Sequence, residues 1–341
     1  MFDIGTMLRI PHARRDIVWL QSMLQTAISL ELFTIPPYLC AMWSIDEIVP
    51  GYIKTQLGRI VMEEMRHLGL ACNLLGAYHH NPAHTTPDVL PVLNVEGFVP
   101  VYPGPLPGGV HHGLTVSLTK LTKEVVGMNF MQIEFPSVEA VTRGPAHSFA
   151  TIGKFYQAIR DCIDTLPDAV SQSHQIRISD SSVNIITCKN DALAAIDAIS
   201  FEGEGAHASP FVCDPEGEEE LAHYYQFAEF FWGRRIERGG KDGWGFLGDP
   251  IPWPGSIHDM AVVPPGGYFT DDAIQFDRNY TKLLDLLTAA WHAEDSQVAA
   301  ATFTQARTVM TQELECIAVQ LMKTPRWDQN GNYGPCFRLA R

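Results

Sequence analysis

The sequence predicts a mainly α-helical protein built around a four-helix bundle. Long segments repeat apolar residues at spacings of three and four, as on one face of an α-helix. Four of these segments carry a glutamate where the pattern calls for an apolar residue. Between the segments lie short turns or Pro/Gly-rich stretches, which end helices. These observations indicate helices that pack with acidic groups facing inward.

The composition is typical of a globular protein and argues against several kinds of partner. Of the 341 residues, 46% are apolar and 18% are charged. A net charge of -15 disfavours nucleic acid or an anionic membrane as the partner. No run of about 20 uncharged apolar residues is present, so no membrane span is predicted. Because the cysteines form no CxxC motif and no signal peptide is visible, we expect a cytoplasmic protein with reduced thiols.

The motif Glu63-Glu64-Met65-Arg66-His67 lies in the middle of a helix predicted over 52–78. Glu64 and His67 are three residues apart, so both project from one face. The apolar positions of that face are Leu57, Ile60, Ala71 and Leu74. A carboxylate buried there is strongly destabilising unless a cation, a hydrogen-bond donor or a shifted pKa compensates it.

The preceding helix, predicted over 12–44, carries Glu31 in its own apolar stripe. We expect Pro36 and Pro37 to break or kink it, because proline lacks the N–H donor and clashes with the preceding turn. Glu31 lies 13 residues before the end of this helix, and Glu64 lies 12 residues after the start of the next. In an antiparallel pair both carboxylates are therefore roughly 20 Å from the connecting turn.

Further helices are predicted along the rest of the chain. A Pro/Gly-rich insert over 79–145 is followed by a helix over 146–166. Two further helical segments are predicted over 191–208 and 218–235. We assign 1–240 to the bundle with its insert.

Residues 241–341 are predicted to be a C-terminal helical extension. It contains two helical stretches, over 272–293 and 296–322, with ordinary amphipathic patterns. We expect these helices to pack on the outside of the bundle, so that the chain forms one structural unit.

Like Glu31 and Glu64, Glu204 and Glu220 lie at similar distances from the loop between their two predicted helices. Glu204 lies 6 residues before Pro210, and Glu220 lies 5 residues after Pro215. Glu220 and His223 repeat the Glu-x-x-His spacing. Two carboxylates at equal heights are again expected if these helices are antiparallel.

Four helices thus supply one set of predicted metal ligands. The set is Glu31, Glu64, His67, Glu204, Glu220 and His223. One Glu from each of two helices, plus Glu-x-x-His from each of two others, forms the dinuclear site of ferritin-like bundles. Mixed carboxylate and imidazole ligands suit iron or manganese, and two divalent cations neutralise four carboxylates. The sequence therefore predicts two Fe ions, or Fe with Mn.

A second ligand assignment stays open. Glu204 and His207 also form Glu-x-x-His, and Glu134 would then be the single glutamate of its helix. This assignment is less favoured, because Glu134 lies in a short segment stopped by a proline. We expect the neighbouring Glu63 and Glu202 to be solvated or to lie just outside the ligands.

A series of ordered motifs extends over nearly the whole chain. They are ISLELFTIPPYL (28–39), EEMRH (63–67), YPGPLPGG (102–109), EFP (134–136), GEG (203–205), ELAHYY (220–225), FDRNY (276–280) and GPCF (334–337). In these motifs the chain resembles the ferritin-like domain of the iminophenylpyruvate dimer synthases, which act in the violacein, rebeccamycin and staurosporine pathways. The resemblance implies a ferritin-like fold and supports the six-residue metal set.

The predicted function is that of a non-haem, di-iron type oxidative enzyme of secondary metabolism. It would be an oxidase, an oxygenase or an oxidative coupling enzyme that uses O₂ or peroxide. Its small, amino-acid-derived substrate would enter near the Pro-Pro kink and the Pro/Gly insert. The alternative is a non-catalytic metal-storage or scaffold protein. A pocket beside the metals would favour the enzyme, and the sequence leaves a homo-oligomer open.

Overall fold

The computed structural model is mainly helical, as predicted. It describes residues 3–80, 87–136, 151–179, 182–204, 209–213, 219–240 and 243–340, with the backbone alone at 204 and 213. Among these residues no helix is long and apolar enough to cross a membrane.

Two long antiparallel helices form the centre of the bundle. After the short helix α1 (Ile4–Leu8), α2 spans Ile17–Ser44 and α3 spans Tyr52–Ala77. The start of α2 lies beside the end of α3, where the Gln21 side chain donates to the Tyr78 carbonyl at 2.8 Å. The two helices pack along each other, and the buried apolar side chains of both form the centre of the core.

Pro36 and Pro37 do not interrupt α2, which continues through both to its end. Of the expected break or kink, the break was therefore wrong, and the kink stays a prediction. Pro37 cannot donate to the Phe33 carbonyl four residues earlier. The Tyr102 hydroxyl, from the Pro/Gly-rich insert, donates to that oxygen instead, at 2.5 Å. A side chain distant in sequence replaces the missing backbone donor.

The described part of the insert ends in a short helical segment that contains a π-helical turn. Helix α4 (Lys123–Val125) continues into a first π-helical turn (Val126–Phe130) and then into α5 (Met131–Ile133). Glu134 is the residue at the C-terminal end of α5. The Phe130 ring packs edge-on against the Tyr38 ring of α2, with centroids 4.8 Å apart. This contact holds the segment against the bundle.

Three more helices complete the bundle: α6 (Ile152–Thr165), α7 (Lys189–Glu204) and α8 (His223–Trp232). Helix α7 packs against α3 and α6, and α8 packs against the first π-helical turn. The prediction for α8 began too early. Strand β2 (Glu219–Leu221) pairs antiparallel with β1 (Phe211–Cys213), so Glu219 and Glu220 belong to a sheet.

The C-terminal part packs on α2 and α3. Its elements are β3 (Glu237–Arg238), β4 (Trp244–Gly245), α9 (Asp271–His292), α10 (Ser296–Thr308), a second π-helical turn (Val309–Leu314) and α11 (Glu315–Lys323). Trp291 of α9 donates its indole N–H to the Asn73 side chain of α3 at 2.9 Å. Helices α9 and α11 contact the bundle, as expected, while the boundary between 240 and 241 stays a prediction.

We expect Tyr102→Phe to lower the free energy of unfolding by about 1–3 kcal/mol, because the buried Phe33 carbonyl loses its donor. The loss should be smaller in a Pro37→Ala background, where the amide of residue 37 can donate to Phe33. Urea unfolding of the parent, both single variants and the double variant measures this difference. Equal losses in the two backgrounds would contradict the replacement of one donor by the other.

Candidate metal centre

Five titratable side chains meet in the interior of the bundle. Glu31 comes from α2, Glu64 and His67 from α3, Glu134 from the end of α5, and His223 from the start of α8. Each of the five is at most 5% exposed. They form two groups of three whose potential ligand atoms lie within 4.8 Å of one another, and Glu64 belongs to both. We call these five residues the carboxylate–histidine cluster.

Four of the six predicted ligands lie in this cluster, and one does not. The four are Glu31, Glu64, His67 and His223. Glu220 lies on β2 instead, where it forms an ion pair with Arg59 and its side chain is 24% exposed. Glu220 and His223 therefore do not share a helical face as predicted, because the helix begins at His223.

The second ligand assignment is supported at Glu134, whereas the side chains of its other two residues are not described. Its single glutamate, Glu134, does lie in the cluster, beside Glu64 and His223. Helix α7 ends at Glu204, but the Glu204 side chain and the whole of His207 lie outside the described residues. The segment before Glu134 is short, yet its π-helical turn and its packing on α2 bring the carboxylate inside.

Both histidines direct Nδ1 toward the cluster and Nε2 away from it. The Nδ1 atoms of His67 and His223 lie 3.7 and 2.8 Å from cluster carboxylate oxygens. On the outer side, His67 Nε2 lies 2.9 Å from a Glu202 oxygen and His223 Nε2 lies 2.8 Å from a Glu63 oxygen. Outer carboxylates of this kind fix the tautomer and the ring orientation of metal-ligating histidines.

Each cluster carboxylate also accepts a hydrogen bond from a buried hydroxyl. The pairs are Tyr156 with Glu31, Tyr38 with Glu134 (2.5 Å) and Thr34 with Glu64 (2.7 Å). In all three pairs the oxygen that does not accept this bond lies nearer to a histidine Nδ1. Those separations are 3.7 Å for Glu31 with His67, and 2.8 and 3.9 Å for Glu64 and Glu134 with His223. In each pair the hydroxyl and the histidine therefore face different oxygens of the carboxylate.

The surroundings of the His223 Nδ1 atom test whether a metal ion fits the cluster. It is buried and makes no hydrogen bond to the described residues, since its 2.8 Å contact with Glu64 lacks hydrogen-bond geometry. A buried nitrogen without a well-aligned hydrogen bond is unfavourable. Coordination would satisfy it, and a donor set of carboxylates and imidazoles without thiolate suits iron or manganese. The residues present fit these ions.

Burial and repulsion make the charged form of Glu31 unfavourable. Burial raises the pKa of Glu31 well above its ordinary value, and the nearby Glu64 raises it further. The hydrogen bond from Tyr156 opposes this rise. A bound cation would remove the cost, because it favours the ionised carboxylate.

The two histidines have opposite pKa shifts. Burial lowers the pKa of His67 well below its ordinary value, with His223 and Arg66 adding to the effect, so His67 is the neutral imidazole that binds metals. Burial alone would also lower the pKa of His223. Its hydrogen bond to Glu63 and its contact with Glu64 outweigh burial and raise that pKa well above the ordinary value. Metal binding would therefore release a proton from His223.

A cavity of about 20 Å³ opens onto the cluster. Its remaining walls come from α2, α6 and α7, and they are mostly apolar: Leu30, Thr34, Ile152, Tyr156, Ile199, Ser200 and Gly203. The described part of the insert before Lys123 lines a different cavity, of about 390 Å³, beside Phe33. Access to the cluster along the predicted route, near the Pro/Gly-rich stretch, is therefore not supported by the described walls.

The three hydroxyl donors were not predicted from the sequence, although two of them occupy positions that could have indicated it. Thr34 and Tyr38 follow Glu31 by three and seven residues, so they occupy the same face of α2. Tyr156 comes from α6, and only the packing of that helix on α2 brings its hydroxyl to Glu31.

We expect the metal-free protein to lose stability relative to Glu31→Gln as the pH rises above about 5. The folded state holds the Glu31 proton to a higher pH than the unfolded chain, whose pKa is near 4.5. The free energy of unfolding then falls by up to about 1.4 kcal/mol per pH unit until the pH passes the folded pKa. Urea unfolding of both chelator-treated proteins at pH 5, 6 and 7 measures the difference. A difference that does not change with pH would contradict the raised pKa.

Comparisons with known proteins agree with this architecture. The model of the Ferritin-like family matches residues 24–232, which is more than half of the chain and includes the whole cluster. A crystal structure of a ferritin-like protein from Caulobacter vibrioides is similar with a TM-score of 0.60 and 19% identity, over 94% of this chain and 97% of that one. That likeness shows the fold. No curated protein matches the sequence. From the family match, the chain belongs to the ferritin-like family.

Proposed function

We propose that the chain is a dinuclear, di-iron type oxidative enzyme that acts on a small, amino-acid-derived molecule in secondary metabolism. The observation that carries the proposal is Glu64, whose carboxylate belongs to two separate groups of potential ligands. One carboxylate between two such groups suits a bridged pair of ions. When bound, two Fe ions, or Fe with Mn, supply the redox chemistry needed with O₂ or peroxide.

The proposed ligands follow the two groups. Glu31, Glu64 and His67 would hold one ion, and Glu64, Glu134 and His223 would hold the other. We favour Glu134 over Glu220 because Glu220 already forms an ion pair with Arg59 outside the cluster. Glu204 stays in the proposed set, as the sequence pattern suggests.

Neighbouring residues would position the ligands and control protons. Tyr156 and Tyr38 donate hydrogen bonds from their phenol O–H groups to Glu31 and Glu134. Burial and the adjacent carboxylates raise the pKa of both tyrosines well above the ordinary value, so both remain hydrogen-bond donors. Thr34 fixes the Glu64 carboxylate in the same way. The ligands are thus held in place without a rearrangement of the bundle.

A cavity beside the cluster supports an enzyme more than a sealed structural site. Its volume is about 20 Å³, room for about one water-sized molecule, and it reaches four cluster residues directly. Its walls are mostly apolar, while Ser200 provides one hydroxyl. The resemblance to the iminophenylpyruvate dimer synthases favours a substrate derived from an amino acid.

We expect the purified protein to contain about two Fe or Mn ions per chain and, when loaded, to consume O₂ with an amino-acid-derived substrate. Glu64→Ala should lose metal and activity together, because both ions share that carboxylate. His67→Ala should lower the metal content and the thermal stability. Elemental analysis, thermal unfolding with and without a chelator, and an oxygen electrode measure these effects.

Different results would contradict the ligand set and the enzymatic function. Unchanged metal content in both variants would remove Glu64 and His67 from the ligand set. Two bound ions without O₂ or peroxide consumption over a panel of amino acids, 2-oxo acids and imines would favour the storage or scaffold alternative. A matched control is Glu313→Gln, since Glu313 forms an ion pair with Lys282 far along the chain from the cluster.

We expect Glu134→Gln to weaken the binding of the second ion, whereas Glu220→Gln should leave metal content unchanged. An amide at 134 still accepts the Tyr38 hydrogen bond but provides no negative charge to a cation. Titration of each metal-free variant with Fe²⁺ or Mn²⁺ against a competing chelator gives the number of sites and their affinities. The reverse result would restore Glu220 to the ligand set and exclude Glu134.

A further inference from the structure

A polar pocket of about 190 Å³ lies beside the first half of α3. Its walls come from α3, β1, β2, α8 and the residues that follow α8, and the described lining includes none of the five cluster residues. A single water molecule needs only about 10–15 Å³, so this space admits a small organic molecule. We call it the Arg235 pocket, after the side chain on which its chemistry depends.

The Arg235 side chain is held in one orientation by a fully buried carboxylate. One oxygen of Glu229 accepts hydrogen bonds from the Arg235 Nε–H at 3.3 Å and from the Ile236 amide at 2.5 Å. The other Glu229 oxygen accepts a hydrogen bond from the Tyr52 hydroxyl at 2.6 Å. The guanidinium carbon of Arg235 lies over the Tyr52 ring, 4.5 Å from its centroid. These contacts together set the position and the plane of the guanidinium.

The backbone of Arg235 is fixed as well. Its amide donates to the Asp249 carbonyl at 3.0 Å, and its carbonyl accepts from the Gly248 amide at 3.0 Å. A Cβ atom at Gly248 would lie 2.7 Å from the Arg235 Cβ, so this close approach requires a glycine. A side chain that is already held at its backbone and at Nε loses little conformational freedom when it binds a ligand.

The outer end of the Arg235 guanidinium can bind an anion. Among the described residues the side chain donates from Nε alone, which leaves the N–H groups of both terminal nitrogens to other partners. The side chain is 46% exposed and lines the pocket. Paired N–H groups of a guanidinium match two oxygens of a carboxylate or of a phosphate. The side chain of Gln56, one helical turn after Tyr52 on α3, lines the same space and offers an uncharged donor.

The other charges of the pocket favour a ligand with a single negative charge. Glu219 and Glu220 also line it, and they form ion pairs with Arg238 and Arg59. Arg59 itself lines the pocket, so a ligand held by Arg235 has a second guanidinium nearby. The two carboxylates would repel a doubly charged phosphate more strongly than a carboxylate with one charge.

We propose that the Arg235 pocket binds the carboxylate group of a small organic acid. The terminal nitrogens of Arg235 would donate to both carboxylate oxygens, and the Gln56 amide would donate to one of them. Phe211, Leu221 and Ile236 also line the pocket and would contact the apolar body of the acid. This site is additional to the metal centre and does not depend on the reaction proposed there.

The test is a calorimetric titration of the full-length chain with phenylacetate and with phenylacetamide, which has nearly the same shape but no charge. Phenylacetate should bind the parent protein at least about 10-fold more tightly than phenylacetamide. Arg235→Lys keeps the positive charge but loses the paired donors, so it should weaken phenylacetate binding about 10- to 100-fold. Gln56→Glu should weaken it about 2- to 5-fold, because it adds a carboxylate beside the bound one.

The matched control is Arg238→Lys. Arg238 also lies over an aromatic ring, at 4.6 Å from the Phe211 centroid, and pairs with a glutamate, but it does not line the pocket. Its substitution should leave phenylacetate binding unchanged. Gln56→Glu leaves Arg235 and its anchor in place, so it tests the site even if Arg235→Lys unfolds. Glu64→Ala should bind phenylacetate like the parent, whereas a probe held at the metal centre would be lost with the metal.

Several outcomes would overturn the proposal. They are no binding of phenylacetate to the parent, equally tight binding of phenylacetamide, loss of binding in Glu64→Ala, and unchanged binding in both Arg235→Lys and Gln56→Glu. Equal weakening by Arg238→Lys and Arg235→Lys would also overturn it. Inorganic phosphate that displaces phenylacetate and binds more tightly would show a phosphate site instead of a carboxylate site. Loss of metal or of O₂ consumption in Glu64→Ala with normal phenylacetate binding would leave the proposal supported.

Discussion

Burying three carboxylates within a few ångströms of one another is the constraint on which the rest of the bundle depends. Glu31, Glu64 and Glu134 repel one another in a medium that screens charge poorly. Without compensation such a cluster would oppose folding, because each charge loses its hydration. Helices α2 and α6 therefore contribute hydroxyls, and α3 and α8 contribute histidines. The helices must meet at one level, since each compensating group reaches only a few ångströms.

The compensation continues outward in alternating layers of carboxylates and nitrogen groups. The inner carboxylates face the Nδ1 atoms of His67 and His223, and the Nε2 atoms of both histidines contact Glu202 and Glu63. Arg66 in turn forms an ion pair with Glu202. Each layer lowers the cost of the layer inside it, so the motif EEMRH supplies an inner carboxylate and imidazole, an outer carboxylate and an outer cation from less than two turns of one helix. This explains why adjacent glutamates at 63 and 64 have different roles.

The sequence was sufficient where local counting sets the geometry. Glu31 and Glu64 could be matched because two regular helices joined by a short turn have heights that follow from residue number. Counting residues along helices gave wrong expectations beyond the α2–α3 hairpin. The π-helical turn before Glu134 changes the helical register, and β2 takes Glu220 out of the helix that the acidic run predicted. Both depend on packing between segments far apart in sequence, which periodicity does not report.

The α2–α3 pair also explains how one hairpin can border two spaces of opposite chemistry. Helical periodicity assigns alternate sets of positions to different faces, so acids and hydroxyls collect on one side of α2 and aliphatic residues on the other. A single apolar stripe containing one glutamate was the wrong description of α2, which is buried on nearly all sides. The C-terminal helices are what bury its second face. They bury that apolar face and enclose a cavity against it.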